Sequence, residues 1–174
     1  MFPKPRKLET ESELYDAALR ALMRRAHSIH ELKKNLARRA ADPAHTQNVL
    51  DRLKREGLLD DARYAAQFVR YRAESRRQGK FRIARDLRAR GVPGRHIESA
   101  FAAGPDAAAE AAVVRTRIQR KLKAFRGEIE PRRIAAIYAS LLRAGFPADI
   151  IRRELRALTR KDVPEVDSSP PEDL

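Results

Sequence analysis

Cysteine is absent from this chain of 174 residues. Disulfides, thiol catalysis and thiolate metal sites are therefore excluded, and a reducing cytosol is compatible with the composition. No apolar run approaches the roughly 20 residues that a membrane-spanning helix needs, and the basic N-terminus lacks the apolar stretch of a signal peptide. We therefore expect a cytoplasmic protein with no membrane partner.

Patterns typical of β-strands are missing as well. β-branched residues are few, and no segment alternates apolar with polar side chains. A glycine-rich phosphate loop is also absent, since Gly91, Gly94 and Gly104 fall near predicted helix ends. The chain is therefore predicted to be all-α.

Residues that often catalyse reactions or bind metals occur here without the arrangement that such chemistry needs. His27 and His30 share a helix entry but have no well-placed third ligand, so we expect surface or capping roles for them. Ser28 and Thr10 each occupy a position that suits a helix N-cap, and no base accompanies them. We predict no enzyme activity, no metal site and no cofactor.

The chain does contain one helical pattern three times. In each copy apolar residues recur at a spacing of four, a small residue follows, and a second apolar pair comes after it. This spacing keeps side chains on one helix face, and the small residue suits a helix C-terminus, so each copy predicts two short helices with a tight joint. The copies are Leu32, Leu36, Ala40, Val49 and Leu53; Ile83, Leu87, Gly91, Ile97 and Phe101; and Ile137, Leu141, Gly145, Ile151 and Leu155.

Helix-capping and helix-breaking residues extend each copy to a group of three helices. Thr10 and Ser28 each begin a capping box, and Asp42 is an N-cap followed by proline. The sequence thus predicts three tandem three-helix repeats that form an elongated, curved helical array. The predicted boundaries are a basic flexible N-terminus over 1–9, repeats over 10–59, 60–104 and 105–160, and an acidic disordered tail over 161–174.

Positive charge dominates all of the chain except its end. The net charge is +14, although residues 161–174 hold one lysine against five acids. Arginine outnumbers lysine by 29 to 9, and arginine favours bidentate contacts with phosphate or carboxylate. A GC-rich genome would also favour arginine codons, but it does not account for the net charge. A partner rich in phosphate or carboxylate is therefore expected.

The charge is densest between residues 70 and 95, where Glu74 and Asp86 are the only acids. On a helical projection, Arg82, Arg85 and Arg88 oppose the apolar face. Upstream, Arg63, Arg70 and Arg77 recur every seven residues, and the two stripes are joined by a turn at Gly79. A solvated face usually mixes charges of both signs, so we interpret these stripes as a contact surface. The candidate contact residues are Arg63, Arg70, Arg76, Arg77, Lys80, Arg82, Arg85 and Arg88.

Other residues of this region are assigned to structure. Arg72 projects on the same side as Phe68, which predicts a buried stem paired with a carboxylate. The aromatic side chains Tyr15, Tyr64, Phe68 and Phe101 lie on apolar faces, so base-stacking platforms are not evident. The arginines at 115, 117 and 120 provide a set of equal charge at another location for comparison with 82, 85 and 88.

The middle of the chain resembles the RecX family of bacterial regulatory proteins. Residues 60–72 match D-x3-Y-A-x2-F-V-x2-R, and residues 79–91 match G-x3-I-x3-L-x3-G. Upstream, residues 25–32 are similar to the family's R-x2-S-x2-E-L element, and the third repeat also fits through Gly145 and Ile151. Ala40 stands where many relatives have glycine. The resemblance covers about residues 12–158 and is most specific in the middle repeat.

The resemblance implies a negative modulator of the RecA recombinase in DNA recombination, DNA repair and the SOS response. Such proteins are taken to bind the RecA–single-stranded-DNA filament, to limit its extension, and to suppress ATP hydrolysis and strand exchange. The implied partners are the RecA filament and single-stranded DNA, contacted directly or through the filament. The family offers no catalytic residue to transfer, and we expect a monomer.

Two other functions remain open on the sequence. A nucleic-acid-binding module that acts on its own would use its helix pairs like helix-turn-helix units. A purely structural scaffold is the third class, and the high positive charge argues against it. Binding to naked DNA compared with RecA-coated DNA separates the first two functions.

Overall fold

The computed structural model describes residues 7–124 and 129–159, and within these ranges the chain forms nine α-helices and no β-strand. The prediction of an all-α repeat fold is confirmed. Three groups of three helices follow one another along the chain. They are α1 Glu11–Arg24, α2 Ile29–Ala37, α3 Pro43–Arg55, α4 Asp61–Glu74, α5 Lys80–Ala89, α6 Gly94–Ala102, α7 Ala107–Lys123, α8 Pro131–Arg143 and α9 Ala148–Thr159.

Local sequence signals fix the starts of the first helices. Thr10 and Ser28 each form the predicted capping box, in which the hydroxyl accepts the N–H of the third helical residue and that residue's Glu side chain accepts in return. Asp42 caps α3 ahead of Pro43, and Asp106 caps α7. The predicted caps are confirmed. The sequence could reveal them because each depends on only four consecutive residues.

Glycines end a helix in each of the three groups. Gly57 follows α3, Gly91 follows α5 and Gly145 follows α8, with φ angles of +68°, +70° and +89°. These are left-handed conformations that glycine adopts without steric cost. In the first group, Ala40 replaces the glycine after α2 and takes part in a bridge with Leu8 instead.

The chain forms two compact units. The N-terminal unit contains the described residues up to Phe68 together with 86–103, and the C-terminal unit contains 69–85 with the described residues from Gly104 onward. Helices α4 and α5 each contribute one part to each unit.

The core of the N-terminal unit lies among α1, α2 and α3. Leu14, Leu32, Leu36 and Leu53 are fully buried there, and these leucines come from all three helices. Leu8 packs at the edge of this core. Its N–H donates to the Arg39 carbonyl at 2.8 Å, and its carbonyl accepts the N–H of Ala41 at 2.9 Å.

The core of the C-terminal unit lies among α7, α8 and α9. Ile118, Tyr138, Leu141 and Leu155 are its largest contributors from the helices, and Phe146 adds a buried ring from the turn between α8 and α9. The apolar positions of the repeated pattern are buried, as their spacing of four predicts, except that Phe101 is half-buried.

Three predicted features fall wholly or partly outside the described residues. They are the first six residues of the basic N-terminus, the break at Gly127 and the acidic tail over 161–174. In the part of the chain that the structure describes, no helix is long and apolar enough to cross a membrane.

Candidate nucleic-acid and partner interface

The helix starts of the first repeat are tied to the second repeat by a joint inside the N-terminal unit. The N–H of Ile29, the first residue of α2, donates to the Asp61 carboxylate at 2.9 Å. The hydroxyl of Ser28 donates to the Arg90 carbonyl at 2.6 Å. Gly91 lies so close to His30 that an added Cβ would stand 2.5 Å from the His30 Cβ. The Asp61 carboxylate, the Arg90 carbonyl and Gly91 therefore all contact the start of α2.

The same joint recurs inside the C-terminal unit, at the start of α5. The N–H of Lys80, the first residue of α5, donates to the Glu110 carboxylate at 2.9 Å. The N–H of Gly79 donates to the Ala144 carbonyl at 2.9 Å. Gly145 lies against Arg82 with no room for a Cβ, as Gly91 lies against His30. The repetition of the sequence is thus also a repetition of contacts.

Sequence reasoning missed this joint. Asp60 caps its own helix, since it accepts the N–H groups of Ala62 and Arg63. Asp61 is buried and serves another helix. The available signal was an acidic residue in the first turn of α4 and of α7. The helix that each acid contacts begins about 30 residues before it.

The element R-x2-S-x2-E-L is a structural network around Glu31. The Glu31 carboxylate accepts from Arg25 at 3.2 and 3.3 Å, from Arg90 at 2.5 Å and from the Tyr64 hydroxyl at 3.3 Å. It also completes the capping box by accepting the Ser28 N–H. Burial alone would raise the pKa of Glu31, but these hydrogen bonds and the two arginine charges lower it overall. Arg90, counted with the basic segment in the sequence, is therefore paired.

Of the surface or capping roles expected for His27, the surface role is wrong. His27 is buried, and its Nδ1 lies 3.0 Å from the Arg25 carbonyl. Burial lowers its pKa, which favours the neutral imidazole. His30 is exposed and packs against Gly91. Among the residues that the structure describes, no group of His, Cys, Asp or Glu has the arrangement of a metal site.

The predicted stripe of Arg63, Arg70 and Arg77 does not run along one helix. Helix α4 ends at Glu74, and Arg77 lies in the following turn with a left-handed φ of 49°. Arg63 donates to the Gly57 carbonyl at 2.6 Å and so also caps the end of α3. Arg70 is exposed on α4 and Arg76 is exposed in the turn. A seven-residue spacing does not show where a helix ends, so the predicted stripe was continued past the end of α4.

The residues of α5 differ from one another in exposure. Lys80, Arg85 and Arg88 are exposed, as the projection predicts. Arg82 is half-buried against Gly145, and its Nε is buried without a hydrogen-bond partner among the described residues. Arg72 is also half-buried, and its predicted pairing with a carboxylate stays a prediction.

A group of arginines in the C-terminal unit brings like charges together. Burial lowers the pKa of Arg117, and the positive charges of Arg120, Arg77 and Arg82 lower it further. The Arg117 guanidinium stands 5.5 Å from the centre of the Phe146 ring. Arg117 and Arg120 were chosen from the sequence as a comparison set elsewhere, so that choice was wrong. Arg115 also differs, because it pairs with the buried Glu154 at 2.7 Å.

Two aromatic side chains that the sequence analysis passed over are exposed. The exposed fraction is 50% for Tyr71 and 58% for Phe81. The predicted core aromatics differ, since Tyr64 is buried and Phe68 half-buried with ring centres 5.9 Å apart. Phe81 projects away from the apolar face of α5, but Tyr71 follows Tyr64 by seven residues, so periodicity alone did not indicate that Tyr71 is exposed.

The N-terminal unit carries a half-open groove of about 520 Å³. Leu19, Leu22 and Met23 line it from α1, and Leu58 and Tyr64 line it from the other side. Met23 is 86% exposed and Leu58 is 45% exposed. The groove therefore offers apolar surface to water beside a basic residue, Arg63.

Comparisons with known proteins agree with this architecture. The family model described as the first three-helix domain of RecX matches residues 15–53, and that of the second three-helix domain matches residues 60–100. The Regulatory protein RecX of Halorhodospira halophila is 44% identical over 149 residues, which cover 84% of this chain and 89% of the relative. The Regulatory protein RecX of Leptothrix cholodnii is 35% identical over 80% of this chain and 85% of the relative.

A solved structure shares the fold. The crystal structure of RecX from Lactobacillus salivarius aligns with a TM-score of 0.77, covers 87% of this chain and 97% of its own, and is 22% identical. Identity to the two relatives extends through most of both chains, and the matched domains contain the joint residues Ser28, Asp61 and Gly91. The chain belongs to the RecX family of regulatory proteins.

Proposed function

We propose that this protein is a negative regulator of the RecA recombinase. It binds the RecA–single-stranded-DNA filament, limits filament extension, and lowers ATP hydrolysis and strand exchange. The observation that carries the proposal is the 44% identity to a regulatory RecX protein over 84% of the chain. The protein acts as a monomer in the cytoplasm and has no catalytic activity of its own.

The surface chemistry supports a partner made of both protein and nucleic acid. The net charge of +14 favours association with phosphates and with acidic protein surface. The apolar groove of the N-terminal unit suits a protein side chain rather than a phosphate. A filament of RecA on DNA presents both kinds of surface.

The direct test uses RecA from the same species. We expect the protein to lower DNA-dependent ATP hydrolysis and strand exchange, and to shorten filaments seen by electron microscopy. The protein alone should hydrolyse neither ATP nor DNA. Unchanged RecA rates with the protein in excess would reject the proposal.

The exposed arginines of α5 are proposed contacts with the filament. Arg85→Glu together with Arg88→Glu should weaken inhibition of RecA, because the change reverses charge at two exposed positions. Arg24→Glu with Arg55→Glu is the matched control, since both control residues are exposed on other helices and carry the same charge. Equal losses in the two variants would show a general effect of charge and no specific contact on α5.

The second candidate is a nucleic-acid-binding module that acts without RecA. The basic charge favours it, and the comparison of naked with RecA-coated single strands decides between the two. A regulator of the filament binds coated DNA more tightly. A module that acts alone binds naked DNA at least as well.

A further inference from the structure

We propose that the C-terminal unit contains a direct binding site for single-stranded nucleic acid, in which Arg77, Arg82 and Arg117 hold phosphates while Tyr71 and Phe81 stack on bases. The site deepens the proposed function, because it gives the regulator its own contact with the DNA strand of the filament. All five residues belong to the C-terminal unit. They come from α4, the turn after it, α5 and α7.

The turn between α4 and α5 and the turn between α8 and α9 are pressed together. The N–H of Gly79 donates to the Ala144 carbonyl at 2.9 Å, and the N–H of Phe81 donates to the Gly145 carbonyl at 3.0 Å. Gly79 touches the Gly145 backbone so closely that a Cβ at position 79 would overlap it. These contacts fix the backbone at Gly79 and Phe81 against the segment 144–146.

Three guanidinium groups gather along this seam. Arg82 lies against Gly145, and Arg117 lies over the ring of Phe146, the next residue. Arg77 stands two residues before Gly79. The positive charges of Arg77 and Arg82 help to lower the pKa of Arg117, in agreement with the contacts that Arg82 and Arg117 make at Gly145 and Phe146.

Among the described residues, no carboxylate balances this cluster. Within residues 7–124 and 129–159, none of the three guanidinium groups has a carboxylate partner, and the buried Nε of Arg82 has no acceptor. Like charges held together destabilise a folded chain, and a buried donor without an acceptor costs further free energy. A phosphate supplies the charge and the acceptor oxygens that the cluster lacks, and arginine matches it with two parallel donors.

The exposed aromatic residues decide which anionic polymer fits. Tyr71 lies in the last turn of α4 and Phe81 is the second residue of α5, so the two flank the same turn. A cation stands over each ring: Arg76 is 5.7 Å from the Tyr71 centre, and the Nζ of Lys80 is 5.4 Å from the Phe81 centre. Aromatic faces beside cations are typical of proteins that bind single strands, where bases stack and phosphates follow the basic groove. An acidic polypeptide offers no bases that could stack on the two rings, and the base faces of a duplex are covered by their neighbours.

The test measures binding of the full-length protein to two fluorescent strands by anisotropy. One is oligo-deoxythymidine, and the other is an abasic deoxyribose-phosphate strand of equal length. The protein should bind thymidine at least about tenfold more tightly, because each stacked base contributes on the order of one tenfold step. Tyr71→Ala with Phe81→Ala should remove this preference and leave affinity for the abasic strand unchanged. Equal wild-type affinity for both strands would overturn the stacking assignment.

The arginine half of the site has its own variant. Arg77→Gln with Arg117→Gln should weaken binding to both strands and reduce the salt slope by about 0.7 for each phosphate that the variant no longer binds. Arg24→Gln with Arg55→Gln removes the same charge from the N-terminal unit, and equal losses in both pairs would overturn the site. Arg82 is left intact because it packs against Gly145. Circular dichroism and urea unfolding establish that each variant is folded.

Two further outcomes separate this inference from the proposed function. Poly-glutamate that competes as well as thymidine does would assign the cluster to an acidic protein and reject the nucleic-acid site. If RecA is inhibited without any base-dependent binding, the nucleic-acid site is rejected and the proposed regulation of RecA stands. If binding depends on the bases but RecA is not inhibited, the site stands and the proposed regulation of RecA is rejected.

Discussion

Asp61 accepts the backbone N–H of Ile29, a donor that α2 cannot satisfy within its own first turn. Asp61 belongs to the next repeat, so a helix start in one repeat is completed by a side chain of another. Glu110 does the same for Lys80 in the C-terminal unit. The contact explains how a chain of short helices gains stability between repeats, because α2 and α5 each receive a cap from the following repeat.

Asp61→Ala should therefore lower the free energy of unfolding by about 1–2 kcal/mol, since a cap is removed at a buried position. Urea unfolding followed by circular dichroism measures the change. Asp16→Ala, at an exposed position of α1, is the control and should stay within about 0.5 kcal/mol of wild type. Equal effects in the two variants would mean that the Asp61 contact contributes nothing.

Three glycine-to-alanine variants separate conformational strain from steric overlap. Gly57→Ala should cost about 1–2 kcal/mol, because its φ is positive but nothing lies within 4 Å of an added Cβ. Gly91→Ala should cost clearly more, because its φ is positive and the Cβ would meet His30. Gly94→Ala has neither problem and begins α6, so it should be neutral or stabilising by up to about 1 kcal/mol. Any other order of the three would contradict the close packing at Gly91.

Glu31 and Glu110 should affect the pH dependence of stability in opposite directions. Because the pKa of Glu31 is lowered below its ordinary 4.5, its contribution is present above that pH and is lost as pH falls through the lowered pKa. Burial raises the pKa of Glu110, so the folded state favours its protonated form, and that contribution is lost as pH rises through the raised pKa.

Glu31→Gln and Glu110→Gln test this difference by urea unfolding between pH 3 and pH 7. The stability advantage of wild type over Glu31→Gln should shrink as the solution is acidified. Relative to Glu110→Gln, wild type should gain stability over the same range. Parallel curves for the two variants would refute the assigned directions.

Leu87 is a position where core packing alone is at stake. Its side chain is fully buried, and Leu87→Ala should lower the free energy of unfolding by about 2–5 kcal/mol. Leu58→Ala removes the same atoms from a leucine that is 45% exposed and should cost much less. Measurement by urea denaturation would show a mistaken core assignment if the two variants lost equal stability.

Structural features that depend on residues close together in the chain were predicted correctly from the sequence. The capping boxes at Thr10 and Ser28 and the glycine stops at Gly91 and Gly145 are local, and each was found where expected. The burial of Leu87 also followed from the spacing of four, because a helix turns those positions to one side.

What the sequence did not reveal depends on contacts far along the chain. Asp61 and Ile29 are 32 residues apart, and periodicity carries no information about which helix start meets which acid. The turn at Arg77 ended a stripe that a seven-residue count continued. Arg82 looked outward on the projection because a helical wheel shows the faces of one helix but not the neighbour that covers them.

The start of α8 and the end of α2 differ from the other helix ends that form a joint. The first residues of α2 and α5, Ile29 and Lys80, donate their N–H groups to an acid of the following repeat. The first residue of α8 is Pro131, which has no N–H to give. An additional repeat inserted after the third would lack this donor. In the same chain, Leu8 already hydrogen-bonds to Arg39 and Ala41 at the end of α2, the region that meets a preceding repeat elsewhere. Neither the start of α8 nor the end of α2 therefore presents the backbone groups that link one repeat to the next within each unit.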